Sequence, residues 1–317
     1  MNKIARKLVL SVLTVVLTVA ALGTTTFAWF TLTNTSVVQP FQAQIVSDTG
    51  IEIAVGQPTV SPLDLNWVTT LTTAEITAYI QTAYLNAFKF NMVTTVDAVN
   101  FNSLGIGALV PVVPVAGKLP GVLEIPLNFR SNTANRILWD SVSLSSPNTA
   151  WLSDVAFRHV DNELKTASTS ILIDASNAMR VAIIGNLTSG VNVVTYEKPA
   201  SAGVNIVLGT GGDFSGPLVL VGTNLVPSGT PGSLNYYFSK NAELPFGYAT
   251  VTTVSTLTSL SNNPILDMPV GSGVDAGQAY YGQVMIRIWL EGWDANAFNS
   301  VLTRIIQAQF QFSGTTV

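Results

Sequence analysis

The closing stretch of the chain alternates apolar and polar residues. Leu302, Ile306, Ala308, Phe310 and Phe312 fall on one face, with Arg304 the lone polar exception; Thr303, Gln307, Gln309 and Gln311 share the other with Ile305. Side chains of a strand point alternately to its two faces, so a period of two marks a half-buried strand. The period recurs over residues 123–130, where Leu123, Ile125, Leu127 and Phe129 alternate with polar residues or Pro. Val284, Ile286, Ile288 and Leu290 bury one face of another such segment. Residues 171–173, 179–184, 191–195 and 204–208 are short β-branched runs, and 250–257 is a looser Val/Thr-rich one. Gly, Pro and Asn cluster between them, at 209–213, 227–232 and 261–264. Short strands with such punctuation predict an all-β chain, a jelly-roll-like antiparallel β-sandwich with long loops.

One segment keeps a different period. Thr72-Thr73-Ala74-Glu75 is a capping box, followed by Ile76, Tyr79, Ile80, Ala83, Tyr84 and Phe88 at helical spacing. It predicts an inserted amphipathic helix over 73–88 that packs on the sandwich. The Pro/Val-rich residues 110–120 read as an extended connector.

Composition removes much chemistry. The 317 residues include no Cys, a single His, 14 Lys+Arg and 18 Asp+Glu, so charged residues make up 10%, where about 25% is usual. Hydrophobic residues at 48% exclude general disorder. A net charge of −4 argues against nucleic acid as a partner, which calls for a basic face. Cysteine nucleophiles, zinc ribbons and disulfides are excluded by count, and no cofactor is expected.

The N-terminus reads as an export leader. Lys3, Arg6 and Lys7 precede an apolar run over 8–22, Gly23 breaks it, and small residues at 26 and 28 favour a cut between Ala28 and Trp29. A run of that length is short of the roughly 20 residues that span a bilayer. The alternative is an uncleaved anchor, the one route to a membrane here. Cleavage leaves 11 basic residues against 18 acidic ones, a net of −7. The expected location is secreted, extracellular or at the cell surface, with 29–47 as an extension and 48–317 as one domain.

No catalytic motif emerges. Gly209–Gly216 lacks both the G-x-G-x-x-G spacing and a Lys-Ser/Thr ending, and so reads as a turn loop. His159 stands near Asp154, Asp161 and Glu163 without a zinc or nucleophile motif, and reads as a surface-loop histidine. The group Asp154, Asp161, Asn162 and Glu163 lacks EF-hand spacing for calcium. Glu291 and Asp294, the nearest approach to a glycosidase-like carboxylate pair, sit in a turn-forming Glu-Gly-Trp-Asp. Asn34 and Asn186 head glycosylation sequons.

Two stretches at opposite ends resemble the TasA/camelysin family of exported proteins. They are the leader junction Gly23-Thr-Thr-Thr-Phe-Ala-Trp-Phe-Thr31, and Asp294-Ala-Asn296-Ala-Phe298 followed by Leu302 and Phe310-Gln-Phe312. Residues 123–130 and 178–184 are similar to relatives with this leader class. The resemblance implies a jelly-roll subunit, cut by a dedicated signal peptidase, that polymerises with itself into extracellular filaments of the pilus or biofilm-matrix type. It implies donation of the segment after the leader, residues 30–47, into the neighbouring subunit, with Val37, Val38, Phe41, Ala43 and Ile45 filling a groove. The alternative is that this segment is the first strand of its own sandwich. Some relatives carry a metallopeptidase label, which a chain with one His and no zinc helix does not support. The rival function is a non-polymerising secreted or membrane-retained surface protein that binds glycans through Trp151, Tyr236 and Tyr237. A hydrolase comes last.

Overall fold

A computed structural model describes residues 42–47, 50–57, 60–85, 88–104, 108–199, 218–221, 224–227, 231–241, 252–270, 280–297, 301 and 304–317. Two sheets hold most of the strands. The first runs, in spatial order, β17 (Asn263–Asp267), β8 (Arg136–Ser145), β19 (Gln307–Thr315), β1 (Gln42–Ser47) and β3 (Thr70–Leu71). The second is centred on β18 (Tyr280–Glu291). On one side lie β13 (Met179–Leu187) and then β14 (Gly190–Glu197); β18 also pairs with β7 (Val122–Ser131), which in turn pairs with β2 (Ile51–Val55). At its far end β18 takes β4 (Met92–Thr95), continued by β5 (Phe101–Leu104) and β6 (Leu109–Pro111). Three two-stranded ribbons complete the set: β9 (Thr149–Leu152) with β12 (Ser170–Ile173), β10 (Phe157–Arg158) with β11 (Leu164–Lys165), and β15 (Leu218–Val221) with β16 (Asn224–Pro227).

The alternating segments do what their period requires. In β18, Val284, Ile286, Ile288 and Leu290 are buried, and in β19 Ala308, Phe310 and Phe312 are buried while Gln309 and Gln311 are exposed. One core lies between the sheets, where Ile45, Trp139 and Phe310 of the first join Ile53, Val181, Ile183 and Ile286 of the second. Phe129 of β7 meets Phe312 of β19 edge to face at 5.2 Å. The sheets approach closely at Gly185, where a Cβ would stand 2.0 Å from the backbone oxygen of Ile265. A second, smaller core covers the other face of the second sheet with Val93, Phe101, Val122, Ala182 and Trp289. This is an all-β sandwich whose second sheet is covered on both faces.

The few charges are placed as cross-strand pairs. Glu52 opposes Arg130 at 2.7 Å, Glu124 opposes Arg287 at 3.0 Å, and Arg180 opposes Glu197 at 2.7 Å, each pair in direct register. Arg136 and Asp267 do the same between β8 and β17 at 2.5 Å. Opposite charges directly across a ladder stabilise the pairing, and register fixes which residues meet.

Several sequence expectations change. Two pairs run parallel, β1 with β19 and β4 with β18, where an antiparallel sandwich was expected. The even positions of β7 are not wet: Glu124, Pro126 and Asn128 are buried. Asn128 donates to the carbonyls of Ala54 and Gly56 and accepts from Tyr281 and Gln283. The last strand starts at Gln307 and runs to Thr315. Residues 252–256 form no strand; the segment crosses the second sheet with Val254 N–H on the Thr95 carbonyl and Leu257 bridged to Tyr196. Residues 204–208 lie outside the described residues.

The helix is present but shorter. α1 (Thr73–Ala83) opens with the capping box, Thr72 accepting from the Glu75 N–H and Glu75 accepting from the Thr72 N–H. It ends where Leu85 turns left-handed at φ 51°, a conformation that breaks α geometry. A second helix, α2 (Ser233–Asn241), was not expected.

Candidate functional site

The segment singled out for assembly enters the described residues at β1. Ala28, Trp29, Val37, Val38 and Phe41 lie outside them. Ala43 stands opposite Ala308, and Ile45 opposite Phe310 on one side and Leu71 on the other. Ile45 is 0% exposed and belongs to the main core. A β-branched residue in that seat removes its whole side chain from water, on the order of 1.5–3 kcal/mol of hydrophobic stabilisation. Ser47 ends the strand: its N–H donates to the Thr69 carbonyl, and its hydroxyl reaches the carbonyls of Ile51 and Thr69. Gly50, at φ +93°, then turns the chain into β2 and the opposite sheet. Within one chain, β1 is thus an inner strand flanked by β19 and the two-residue β3.

α1 closes the same side of the sandwich. Beyond Gly56, β2 no longer accompanies β7, and tyrosines of the helix take over its open edge. The Tyr84 hydroxyl accepts the Glu124 N–H at 2.8 Å and donates to the Val122 carbonyl at 3.4 Å. Burial pushes both Tyr79 and Tyr84 upward in pKa, with the Glu124 charge adding to the effect, so both hydroxyls remain donors at neutral pH. Lys118 lies over both rings, at 5.8 and 5.5 Å. A cleft of about 340 Å³ opens beside them, lined by Tyr84, Phe88, Lys118 and Leu119 among others.

The candidate carboxylate pair sits in a sealed polar cluster. Glu291 and Asp294 are both 0% exposed. Asp294 accepts from Arg180 at 2.6 Å and from the Asn296 N–H and side chain. Arg180, itself 1% exposed, bridges to Glu197 on the neighbouring strand. Glu291 accepts from the Trp289 indole and the Trp293 N–H. Burial raises its pKa to about 7 in spite of those donors and Arg180. The cluster ties the turn after β18 to β13 and β14. Arg180 and Glu197 were invisible to motif reading, since a strand pairing sets them opposite each other and Asp294 lies 114 residues from Arg180; their one signal is a charge inside an apolar β run.

The remaining candidates separate. Asp154 holds Lys240 and the Tyr236 hydroxyl, whereas Asp161 holds Lys165 and His159, and Asn162 is engaged by Arg158. The proposed acidic group is therefore split between two lysines, and no cluster of three metal-ligating carboxylate or imidazole groups occurs among the described residues. His159 is more buried than a surface-loop residue, and burial lowers its pKa. Of the aromatics offered for glycans, Tyr236 is buried and meets Trp151 and Phe157 at 5.8 and 5.3 Å; Trp151 and Tyr237 are half-buried. Asn186 is exposed, and Thr188 of its sequon bonds Asp267. Hydrogen bonds from Arg136 and Thr188 hold Asp267 well below the usual carboxylate range.

No family of proteins, no curated protein and no solved structure matches this chain. The functional reading therefore rests on residues and geometry. No described helix is long and apolar enough to cross a membrane.

Proposed function

We propose that the chain is a structural subunit of an extracellular filament, in which the N-terminal strand of one subunit takes its place in the first sheet of the next. The observation that carries this reading is the seat of β1, an N-terminal strand running parallel to the last strand, its Ile45 wholly buried between the sheets. The same strand from a neighbour would meet the same partners in the same register. Strand addition of this kind draws affinity from the ladder and specificity from the alternate side chains. Export is part of the proposal, resting on the leader pattern, and so is the absence of a catalytic role.

Gln44 and Gln309 face each other across β1 and β19. Neighbouring strands bring Cα atoms within the range a disulfide tolerates, and the chain has no Cys of its own. A Gln44→Cys/Gln309→Cys variant, oxidised after concentration, is expected to give a covalent ladder in denaturing electrophoresis and filaments by electron microscopy. Deleting residues 30–47 should abolish both. Monodisperse particles together with a purely intramolecular cross-link would overturn the proposal.

A further inference from the structure

The outer face of the first sheet carries a grid without charge. Ser145, Gln307 and Gln42 stand side by side on β8, β19 and β1; Ser143, Gln309 and Gln44 form the next row, and Ser141, Gln311 and Val46 the third. Ser141, Ser143, Ser145, Gln309, Gln311, Gln44 and Val46 are exposed. Ser145 donates to Gln307 and Ser141 to Gln311, both at 3.2 Å, so the first and third rows are already aligned by side-chain hydrogen bonds. Asp140, next along β8, falls in a bulge and accepts from Ser313. The second sheet contrasts with this grid, because it carries the Glu52–Arg130, Glu124–Arg287 and Arg180–Glu197 pairs, while the first sheet's cross-strand ion pair, Arg136–Asp267, lies at its β8–β17 edge away from the grid.

We infer that this grid is a contact face for a second copy of the same chain, laid face to face, and that its role is lateral association of filaments; the inference rests on the filament reading. A primary amide both donates and accepts, and a hydroxyl does the same. The face is therefore complementary to itself, as stacked Gln ladders are. Two copies of a chain with net charge −4 repel wherever their carboxylates approach, and a face with no charge can be dehydrated without burying an ion. Aromatic rings for stacking a sugar are missing from all nine positions, as are basic residues for an anionic polymer.

Area sets the scale of the effect. Three strands about 4.8 Å apart, each with three positions about 6.8 Å apart, cover roughly 300 Å² with their side chains. A stable dimer needs about 800 Å² from each partner. One contact is too small to hold two free subunits together, whereas many contacts repeated along two fibres act as one multivalent interface. Subunits should accordingly stay single in dilute solution and bundle once polymerised.

Ser143→Glu and Ser143→Lys, in the middle row but on β8 and out of contact with the exchanging strand, test this in the full chain, with electron microscopy counting bundled and single filaments. Each variant alone should form filaments as readily as the parent, with bundling reduced on the order of tenfold or more by a buried like charge at each contact. Mixing the two kinds of preformed filament should restore bundles, which a merely misfolded variant or a polysaccharide bridge would not do. Thermal melts matching the parent exclude a folding defect. Filaments that bundle equally in parent and variants, or a parent that never bundles, overturn this inference and leave the strand-exchange reading standing. No filaments from the parent would overturn both.

Discussion

Glu291 gives the sandwich a pH dependence of unusual sign. Its carboxyl is fully buried, and burial raises its pKa from 4.5 to about 7. In the unfolded chain the proton leaves near 4.5; in the folded chain it stays on until about 7. Between those values the native state binds more protons than the unfolded one, so stability falls as pH rises. A difference of about 2.5 pKa units at about 1.4 kcal/mol each comes to between about 3 and 4 kcal/mol in all, about 3 kcal/mol of which is lost from pH 4.5 to pH 8. With a urea slope of about 3 kcal/mol/M, the midpoint should drop by about 1 M.

The assay compares urea unfolding of the parent and Glu291→Gln at pH 5 and pH 8. Gln keeps the volume and can accept from the Trp289 indole, but it does not titrate. His159 acts in the opposite sense: burial lowers its folded pKa, so its contribution rises with pH, and it is common to both proteins. Glu291→Gln should be the more stable of the two at pH 8 and nearly equal at pH 5. Identical pH slopes in the two proteins would refute the argument, because they would mean that Glu291 has the same proton affinity folded and unfolded.

Three further changes probe other parts of the frame. Arg180→Met leaves Glu197 and Asp294 without their shared cation and should destabilise by about 3–5 kcal/mol in chemical denaturation; adding Asp294→Asn should recover part of that loss. Tyr84→Phe removes the acceptor of the buried Glu124 N–H and should lower stability by about 1–3 kcal/mol, with faster hydrogen exchange at that amide. Gly185→Ala forces a Cβ against the Ile265 carbonyl and should lower stability by about 1–3 kcal/mol or more as the sheets part, read as a lower melting temperature.

The sequence discloses what a period can encode and little of what depends on neighbours. β18 and β19 were legible because buried apolar residues alternate with less buried ones along most of each, and α1 because its start carries a capping box. The even positions of β7 failed the same logic: a period of two assumes one wet face, and Glu124, Pro126 and Asn128 lie under β2, α1 and their own polar partners. Alternation identifies a strand but not its neighbour, so the parallel seat of β1 beside β19 left no trace. α2 carries Tyr-Tyr-Phe, which favours strands. It is helical because Ser233 donates its hydroxyl to the Asp294 carbonyl and its N–H to the Ala295 carbonyl, and the Asn235 side chain accepts the Arg158 N–H. Those contacts override propensity, and they come from segments dozens of residues away. The Arg180 cluster was hidden for the same reason.

Strand exchange as proposed here has an energetic consequence that the cis seat of β1 makes explicit. A strand that docks in a neighbour makes the contacts it would make at home, so Ile45 is buried and the ladder to β19 is satisfied either way. Those terms cancel, and the balance passes to effective concentration: a strand tethered by a short turn competes at the millimolar level for its own groove. An isolated subunit therefore keeps β1 at home in dilute solution. A polymer gains only from what the isolated chain lacks, namely new contacts between subunits and between fibres. Contacts of that kind cannot come cheaply from a surface whose few charges are negative in excess. They can come from a neutral face, and the outer face of the sheet that contains the exchanging strand presents amides and hydroxyls side by side on β8, β19 and β1. On this argument the charge-poor composition is a property of assembly more than of the single fold, which satisfies three of its cross-strand ion pairs in the opposite sheet and one, Arg136–Asp267, at the β8–β17 edge of the first.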